Sequence, residues 1–428
     1  MTIVHTTGER AGTVAVVGSG VAGLTAAYLL QRRYEVVLFE ADGRLGGHAH
    51  THDIEGAGGR TIGVDSGFIV HNERTYPNLL RLFGELGVAT QETEMSMSVH
   101  CSGCGLEYAG AKGMRGIFAQ PANLRNPRYL RMLAEVKRFH RHARRLLDAP
   151  DAGDVTLGAF LAIGGYGKYF IDHFMLPVVS TVWSADRTDT LRYPARYLFE
   201  FLRNHGMLAV SGSPQWRTVT GGSREYVDRV AKQLGAVHLA TPVRAISRTG
   251  QGVQIRDESG HAHHADRIVV AAHADDALGL LADPTPAERE VLGAFRYSAN
   301  EAWLHTDGTM LPTAAAARAG WNHVSAGCGT DYSAVQVSYD MNRLMRLDEP
   351  ENYVVTLNPA TPPSADSVIA RMDYTHPVYT PESVAAQRKL ADLNDGVVAF
   401  AGAYHGWGFH EDGCAAGVRA ASSLGVEW

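Results

Sequence analysis

TVAVVGSGVAGLTAAYLLQRRYEVVLFEA, residues 13–41, is the stretch whose reading decides the fold of this 428-residue chain. TVAVV is short, apolar and β-branched, the composition of a strand buried on both faces. Gly18, Gly20 and Gly23 follow in G-x-G-x-x-G spacing, at a strand-to-helix turn. There the first glycine makes the tight turn, the second lets backbone approach a pyrophosphate, and the third lets helix and strand pack closely. LTAAYLLQRR reads as a helix whose N-terminal N–H groups face the diphosphate. A second apolar strand, EVVLFE, ends in Glu40, about twenty residues on, where an acid meets ribose hydroxyls. A glycine motif alone is a weak signal. Strand, turn, helix, strand and acid in this order predict dinucleotide binding by Gly18, Ser19, Gly20, Ala22, Gly23, Glu40 and Ala41.

The segment after Glu40 narrows the cofactor. EADGRLGGHAHT has the form E-x-x-x-R-x-G-G, and it resembles the flavin amine oxidase and phytoene desaturase superfamily. That resemblance implies FAD, held without a covalent bond. Arg44 would neutralise diphosphate charge, and Gly46, Gly47 and His48 would pass close to the cofactor. VDSGFIVHNERTYPNLLRLFGELGV (64–88) resembles the superfamily's D-x-G segment, which brings Gly67, Phe68 and Ile69 toward the isoalloxazine ring. Its helix repeats apolar residues at Leu79, Leu82, Phe83 and Leu86, a core face. Further on, TPV resembles the segment at the adenine end, implying Val243, and ADRIVVAAH the strand behind the diphosphate, implying Ala271.

Composition bounds the alternatives. The chain is 45% hydrophobic and 20% charged, ordinary for a globular protein. A formal charge of −6 argues against a nucleic-acid partner. No apolar run reaches the roughly 18 residues needed to cross a bilayer, and MTIVHTTGERAG lacks a signal-peptide pattern, so a cytoplasmic location is expected. Four cysteines suit a reducing compartment. Cys101 and Cys104 form CSGC without evident partners, so a turn between the strands of MSMSVHCSGCGLEYAG is expected rather than a metal site. His261, His263 and His264 lie on a hairpin and lack ligand geometry. No metal is expected anywhere.

NPRYLRMLAEVKRFHRHARRLL (126–147) is a basic amphipathic helix with Tyr129, Met132, Leu133, Val136 and Ala143 on one side. A solvated face is the ordinary reading; contact with the inner face of a membrane is the sharper one. Residues 176–230 are rich in aromatics, with Trp183, Tyr193, Tyr197, Phe199, Phe201 and Trp216 suited to a helical core or to an apolar substrate tunnel. Consecutive strands over 297–359 suggest an antiparallel sheet. The expected fold is therefore α/β: a Rossmann-like FAD-binding domain from 12–88, 221–290 and 390–428, with a mixed α+β substrate domain from 89–220 and 291–389.

GVVAFAGAYHGWGFHEDGCAAGVRAASSLG (396–425) starts as a buried strand and ends as an alanine-rich helix. In the superfamily such a strand ends F-x-G-E/D; Gly402 matches the glycine, and Ala403 replaces the acid. The motif implies Phe409 and His410 beneath the flavin, with Glu411 and Asp412 opening the helix. Its N–H groups would stabilise negative charge on reduced flavin. Three consecutive side chains at a helix start fan apart, which excludes metal ligation by His410, Glu411 and Asp412. His410 and Tyr404 are the candidate proton-handling residues.

Together DSGFIVHNERTYPNL, GLEYAG, NHGML, PQWRTVTGGSREYV, LHTD, VTLNP and GFHEDG resemble one bacterial family of FAD-dependent oxidoreductases associated with cyclopropane or methyl-branched fatty acid synthases. The resemblance implies desaturation or isomerisation of an unsaturated or methyl-branched acyl chain by hydride transfer through flavin N5. Two alternatives stand: a flavin amine oxidase acting on a small amine, with Phe409 as one ring of an aromatic pair around the nitrogen, and a non-catalytic flavoprotein partner of a lipid methyltransferase.

Overall fold

The computed structural model of the protein describes residues 11–149, 155–209, 212–329 and 335–428. The signal-peptide reading of residues 1–10 lies outside them, as do the first residues of the strand expected from Ser333. Strand β1 (Thr13–Val17), helix α1 (Val21–Leu30) and strand β2 (Glu35–Phe39) form where the glycine spacing places them. Three later strands, β3 (Ala236–His238), β4 (Arg267–Val270) and β5 (Val398–Phe400), join them in one parallel sheet of order β3-β2-β1-β4-β5. β1 is central, which is why its sequence is continuously apolar rather than alternating.

Three further helices frame the site: α2 (Pro77–Leu86), α3 (Pro127–Leu147) and α4 (His410–Ser423). Every residue of α1 is buried, as an all-round apolar helix requires. α4 packs across it through small residues. A Cβ added at Gly417 would lie 2.4 Å from the Ala22 carbonyl oxygen, and Thr25 Oγ1 sits 3.4 Å from Cys414 Sγ. α2 buries Leu79, Leu82, Phe83 and Leu86, the expected face, and stops at Gly87 with φ of 67°.

A second sheet of seven strands faces the first unit. Its order is 368–378, 296–305, 354–357, 336–340, 321–325, 97–101 and 106–109. The pairings are antiparallel except between 97–101 and 321–325, which run parallel with Cys101 opposite Ser325. The antiparallel sheet expected over 297–359 is thus present, widened by a hairpin from far upstream. Helices between residues 113 and 204 cover it. On α3 the buried face runs through Tyr129, Met132, Phe139, His140 and Ala143, with Leu133 and Val136 only half-buried. Tyr193 and Phe199 are core, fully buried.

One expectation is corrected here. CSGC does form the turn between strands 97–101 and 106–109, but Cys101 and Cys104 are not without partners. Cys328 and His173 converge on them, because the parallel pairing carries the 326–329 loop to the same sheet end. The separation in sequence hides it.

Two helical glycines should respond to substitution in opposite directions, one in the α1–α4 contact and one on the open face of α2. Gly417→Ala should destabilise the protein by about 1–3 kcal/mol through overpacking. Gly84→Ala, at an exposed site in α2 with open space around its Cβ, should stabilise it by up to about 1 kcal/mol. Urea unfolding midpoints read both; equal shifts would contradict the packing described.

Candidate active site

The loops leaving the carboxyl ends of β1, β2, β4 and β5 open into one cavity of about 1030 Å³ that runs on to the seven-stranded sheet. A ligand crevice at the carboxyl ends of parallel strands is the general rule for such sheets. Gly18, Ser19, Gly20, Ala22, Glu40, Ala41, Gly47, His48, Gly67, Phe68, Ile69, Val243, Ala271, Gly402, Tyr404, Phe409 and His410 all line it. Residues from seven separate segments of chain are thereby brought together.

At the nucleotide end, Gly18 has φ of +97°, and an added Cβ would stand 2.6 Å from the Ala271 oxygen. Gly23 presses on the Gly18 carbonyl at 1.9 Å from an added Cβ, so its role is packing and it does not face the cavity. α1 begins after Gly20 with no side-chain cap and no acid in its first turn. Its N–H groups therefore point, unneutralised, into the cavity, which fits an anionic diphosphate. Glu40 bonds the loop: one carboxylate oxygen accepts from the Ser19 N–H at 2.8 Å and the other from the Asp42 N–H at 2.9 Å.

Three expected contacts are corrected. Arg44 does not line the cavity; its guanidinium lies 3.5 Å from the Leu45 carbonyl oxygen and 4.0 Å from the Asp42 carboxylate. Gly46 accommodates a tight loop whose added Cβ would lie 2.4 Å from the Ala49 oxygen, and it does not line the cavity. Glu411 faces α2 instead: its carboxylate accepts from the Asn78 and Leu79 N–H groups at 3.1 and 3.0 Å and from Asn78 Nδ2 at 2.6 Å. It caps a helix that lacks any other side-chain cap, a favourable place for a carboxylate. Asp65 of the D-x-G segment is likewise structural, accepting from the Ser223 N–H and Oγ at 3.0 and 2.8 Å.

Toward the other sheet the walls are apolar. Met95, Met97, Trp183, Phe201, Met207 and Trp216 stand there, with Trp321, Tyr339 and Leu357 from the sheet. The floor is the 402–410 segment. Gln387 Nε2 donates to the Tyr404 and Gly406 carbonyls at 2.8 and 2.6 Å, Tyr197 Oη to Gly406 at 2.6 Å, and Trp183 Nε1 to Trp407 at 2.9 Å. Phe409 stacks on Phe201 with centroids 4.9 Å apart. His410 stacks on Phe68 at 3.7 Å and 8°, and its Nε2 is 2.9 Å from the Tyr226 hydroxyl. Burial lowers its pKa to about 3, so the imidazole is neutral and occupied. Tyr404 keeps a buried hydroxyl without a partner, and burial raises its pKa.

Sequence reasoning missed a second feature of this wall. His273 and His376 gather beside His48, with His48 centroids 6.4 and 5.6 Å away, and Tyr374 lies 5.0 Å from His48. Burial first, and mutual repulsion second, push His48 well down and His376 to about 4. His273 closes the ADRIVVAAH segment, whose resemblance implies only Ala271, and Tyr374 and His376 lie on a strand with no motif, so no local signal marked the cluster.

The sequence profile of flavin-containing amine oxidoreductases matches residues 21–424. The chain belongs to that family. As a flavin-containing amine oxidoreductase it is an FAD-dependent enzyme, and the uncapped α1 terminus and glycine loops fit the cofactor. No curated protein sequence matches it. Among solved structures it is similar to cyclohexylamine oxidase from Brevibacterium oxydans IH-35A, at 19% identity and TM-score 0.69, covering 96% of this chain and 98% of that one. It is similar also to a CLA-producing fatty acid isomerase from P. acnes, at 16% identity and TM-score 0.66, covering 95% and 97%. A putrescine oxidase bound to putrescine matches at 16% identity and TM-score 0.67, covering 96% and 98%. These likenesses establish the two-domain fold of the family. Among the described residues no helix is long and apolar enough to cross a membrane.

Asp412 supplies a pH test. Its carboxylate accepts from the Phe409 N–H at 2.9 Å at the start of α4, and burial raises its pKa from 3.8 to about 7. A raised carboxyl pKa adds stability that is complete below about 4 and lost as pH climbs through 7. Asp412→Asn should therefore track the wild type below pH 4 and become progressively more stable relative to it up to pH 7. Urea midpoints across that range check this; parallel curves would contradict it.

Proposed function

We propose that this flavin-containing amine oxidoreductase acts on a long apolar acyl chain, desaturating or isomerising it. One observation carries the reading: among the described residues, the substrate end of the cavity has no ionised side chain. The charged residues lining the cavity are Glu40, Asp42, Arg244, Asp275 and Asp276, all on segments of the nucleotide unit. The histidines at the other end stay neutral, His205 held near 4 by burial. A protonated amine would enter such a site without a carboxylate to meet it, at a desolvation cost of several kcal/mol. Each buried methylene contributes about 0.8 kcal/mol instead.

FAD, when bound, supplies a two-electron hydride acceptor; we take it to be held non-covalently. The chain's own contributions are burial, alignment and exclusion of water. Trp183, Phe201 and Trp216 bound the path of the chain, while Gln387 and Tyr197 hold the floor rigid. Of the two proton-handling candidates, His410 is engaged by Tyr226 and acts as a wall, and Tyr404 stays protonated with its hydroxyl enclosed in the floor. Phe409, stacked on Phe201, is part of that wall rather than one side of an open cage around an amine.

Entry from an anionic lipid surface belongs to the same reading. Arg131, Arg141 and Arg145 project from α3 into solvent, and the apolar Met114, Leu124 and Leu130 are exposed nearby in sequence. Arg138 is withdrawn, bonded to the Gly165 carbonyl and set over the Tyr166 ring. A lipid methyltransferase would be a natural neighbour on such a surface.

Anaerobic titration of the FAD-loaded protein tests the substrate class. Unsaturated or branched acyl chains should bleach the flavin or be converted, with apparent affinity rising steeply with chain length; cyclohexylamine and putrescine should do neither. Bleaching by the amines alone would overturn the proposal. Changing Arg131, Arg141 and Arg145 to Glu should abolish sedimentation with anionic vesicles at 0.15 M salt, where screening leaves an effective range of about 8 Å, with FAD content unchanged. Undiminished vesicle binding would remove α3 as the docking face.

A further inference from the structure

We propose that Cys101, Cys104, His173 and Cys328 form a structural zinc site that staples the substrate helices to the seven-stranded sheet. Their ligand atoms all lie within 4.8 Å of one another. Cys101 Sγ is 3.7 Å from Cys328 Sγ, and His173 Nε2 is 3.5 Å from Cys104 Sγ and 3.4 Å from Cys328 Sγ. A tetrahedral zinc with bonds of about 2.3 Å to sulfur and about 2.0–2.1 Å to nitrogen sets edges of about 3.8 Å between sulfurs and about 3.6 Å from sulfur to nitrogen. The three separations of 3.7, 3.5 and 3.4 Å agree with those edges to within about 0.2 Å, and the other pairs lie within 4.8 Å. Three thiolates and one imidazole make a closed donor set, suited to zinc and leaving no open position for chemistry.

The surroundings are built for a metal. His173 Nδ1 lies 3.0 Å from the Tyr169 carbonyl oxygen, which can only accept, so Nδ1 carries the proton and the Nε2 lone pair faces the sulfurs. Such an orienting contact is the usual second shell of a metal-bound histidine. The Tyr108 hydroxyl donates to the His173 carbonyl at 2.8 Å, and the Tyr169 ring stacks on the imidazole at 4.0 Å. His173 sits in a wide π-helical turn, Ile171–Met175, whose hydrogen bonds span five residues and which is often found at functional sites. The two cysteine loops are both Gly-Cys-Gly. Gly105 and Gly329 have φ of +70° and +65°, and an added Cβ at Gly103 would come within 2.7 Å of Gly327 Cα. The loops can thus close on one another only as they are.

Binding zinc requires the three thiols to release their protons to solvent, with no redox change. The mechanical consequence reaches the cavity, because the same helical run continues through Leu176–Trp183 to Val182 and Trp183 in its wall.

The test is elemental analysis of the full-length FAD-loaded protein after gel filtration in zinc-free buffer. One zinc per chain is expected in the wild type, falling to background in Cys104→Ser and His173→Gln, with FAD content and near-ultraviolet circular dichroism reporting whether those variants fold. Should they aggregate, cobalt exchange into the wild type decides: thiolate-to-cobalt charge transfer and tetrahedral visible bands are expected. Wild type that binds neither zinc nor cobalt, iron in place of zinc, or a Cys101–Cys328 disulfide in the freshly purified protein would each overturn the proposal.

Discussion

Everything in this protein is arranged around the Gly18-Ser19-Gly20 turn, where β1 ends and α1 begins. Gly18 bends back under the Ala271 carbonyl, and Gly47, from a separate loop, comes so near that its added Cβ would lie 3.1 Å from Gly20 Cα. The two stretches of backbone meet at glycines, with the Ser19 hydroxyl accepting from the Gly46 N–H at 3.1 Å beside them. Their N–H groups, and the positive end of α1, are left facing an open cavity. The remaining strands, and α4 crossing α1 through Gly417, hold that geometry from behind.

The chemistry of the cavity follows from how charge is distributed along it. Carboxylates and arginine stand on the nucleotide segments, while the far end is built from methionine, aromatic and neutral imidazole side chains. Neutrality there is enforced by burial, which costs a charged imidazole its hydration. A site of this kind selects by shape and apolar area, and it discriminates chain length better than it discriminates polar groups. The floor at 402–410 is fixed by carbonyl acceptors bonded to Gln387, Tyr197 and Trp183, so the reacting region is rigid although it belongs to no regular element for half its length.

What the sequence made legible was local. β1, α1 and β2 announced themselves by apolar runs and glycine spacing, and part of the cavity lining lies in the motifs that carry Gly18–Ala22, Glu40, Gly47–His48, Gly67–Ile69 and Phe409–His410. What it hid was long-range. Glu411 reads as a cofactor contact until α2 is seen to end against it, 333 positions away in sequence. Arg44 matched a motif and yet does not line the cavity. Cys101 and Cys104 look partnerless because Cys328 arrives through a parallel strand pairing that no periodicity reveals. His273 and His376 reach His48 from different elements for the same reason.

Gly20 gives the most direct measurement of the central claim, that the β1–α1 turn is an FAD cradle. Its backbone is extended, with φ of −62° and ψ of 174°, and an added Cβ meets nothing within 4 Å, so a larger side chain fits the empty fold and intrudes only on a cofactor. FAD affinity and apoprotein unfolding should be measured for Gly20→Val. The account predicts an apoprotein as stable as the wild type that has lost FAD binding by at least about two orders of magnitude, more than about 2.7 kcal/mol. A variant that binds FAD as the wild type does would contradict it.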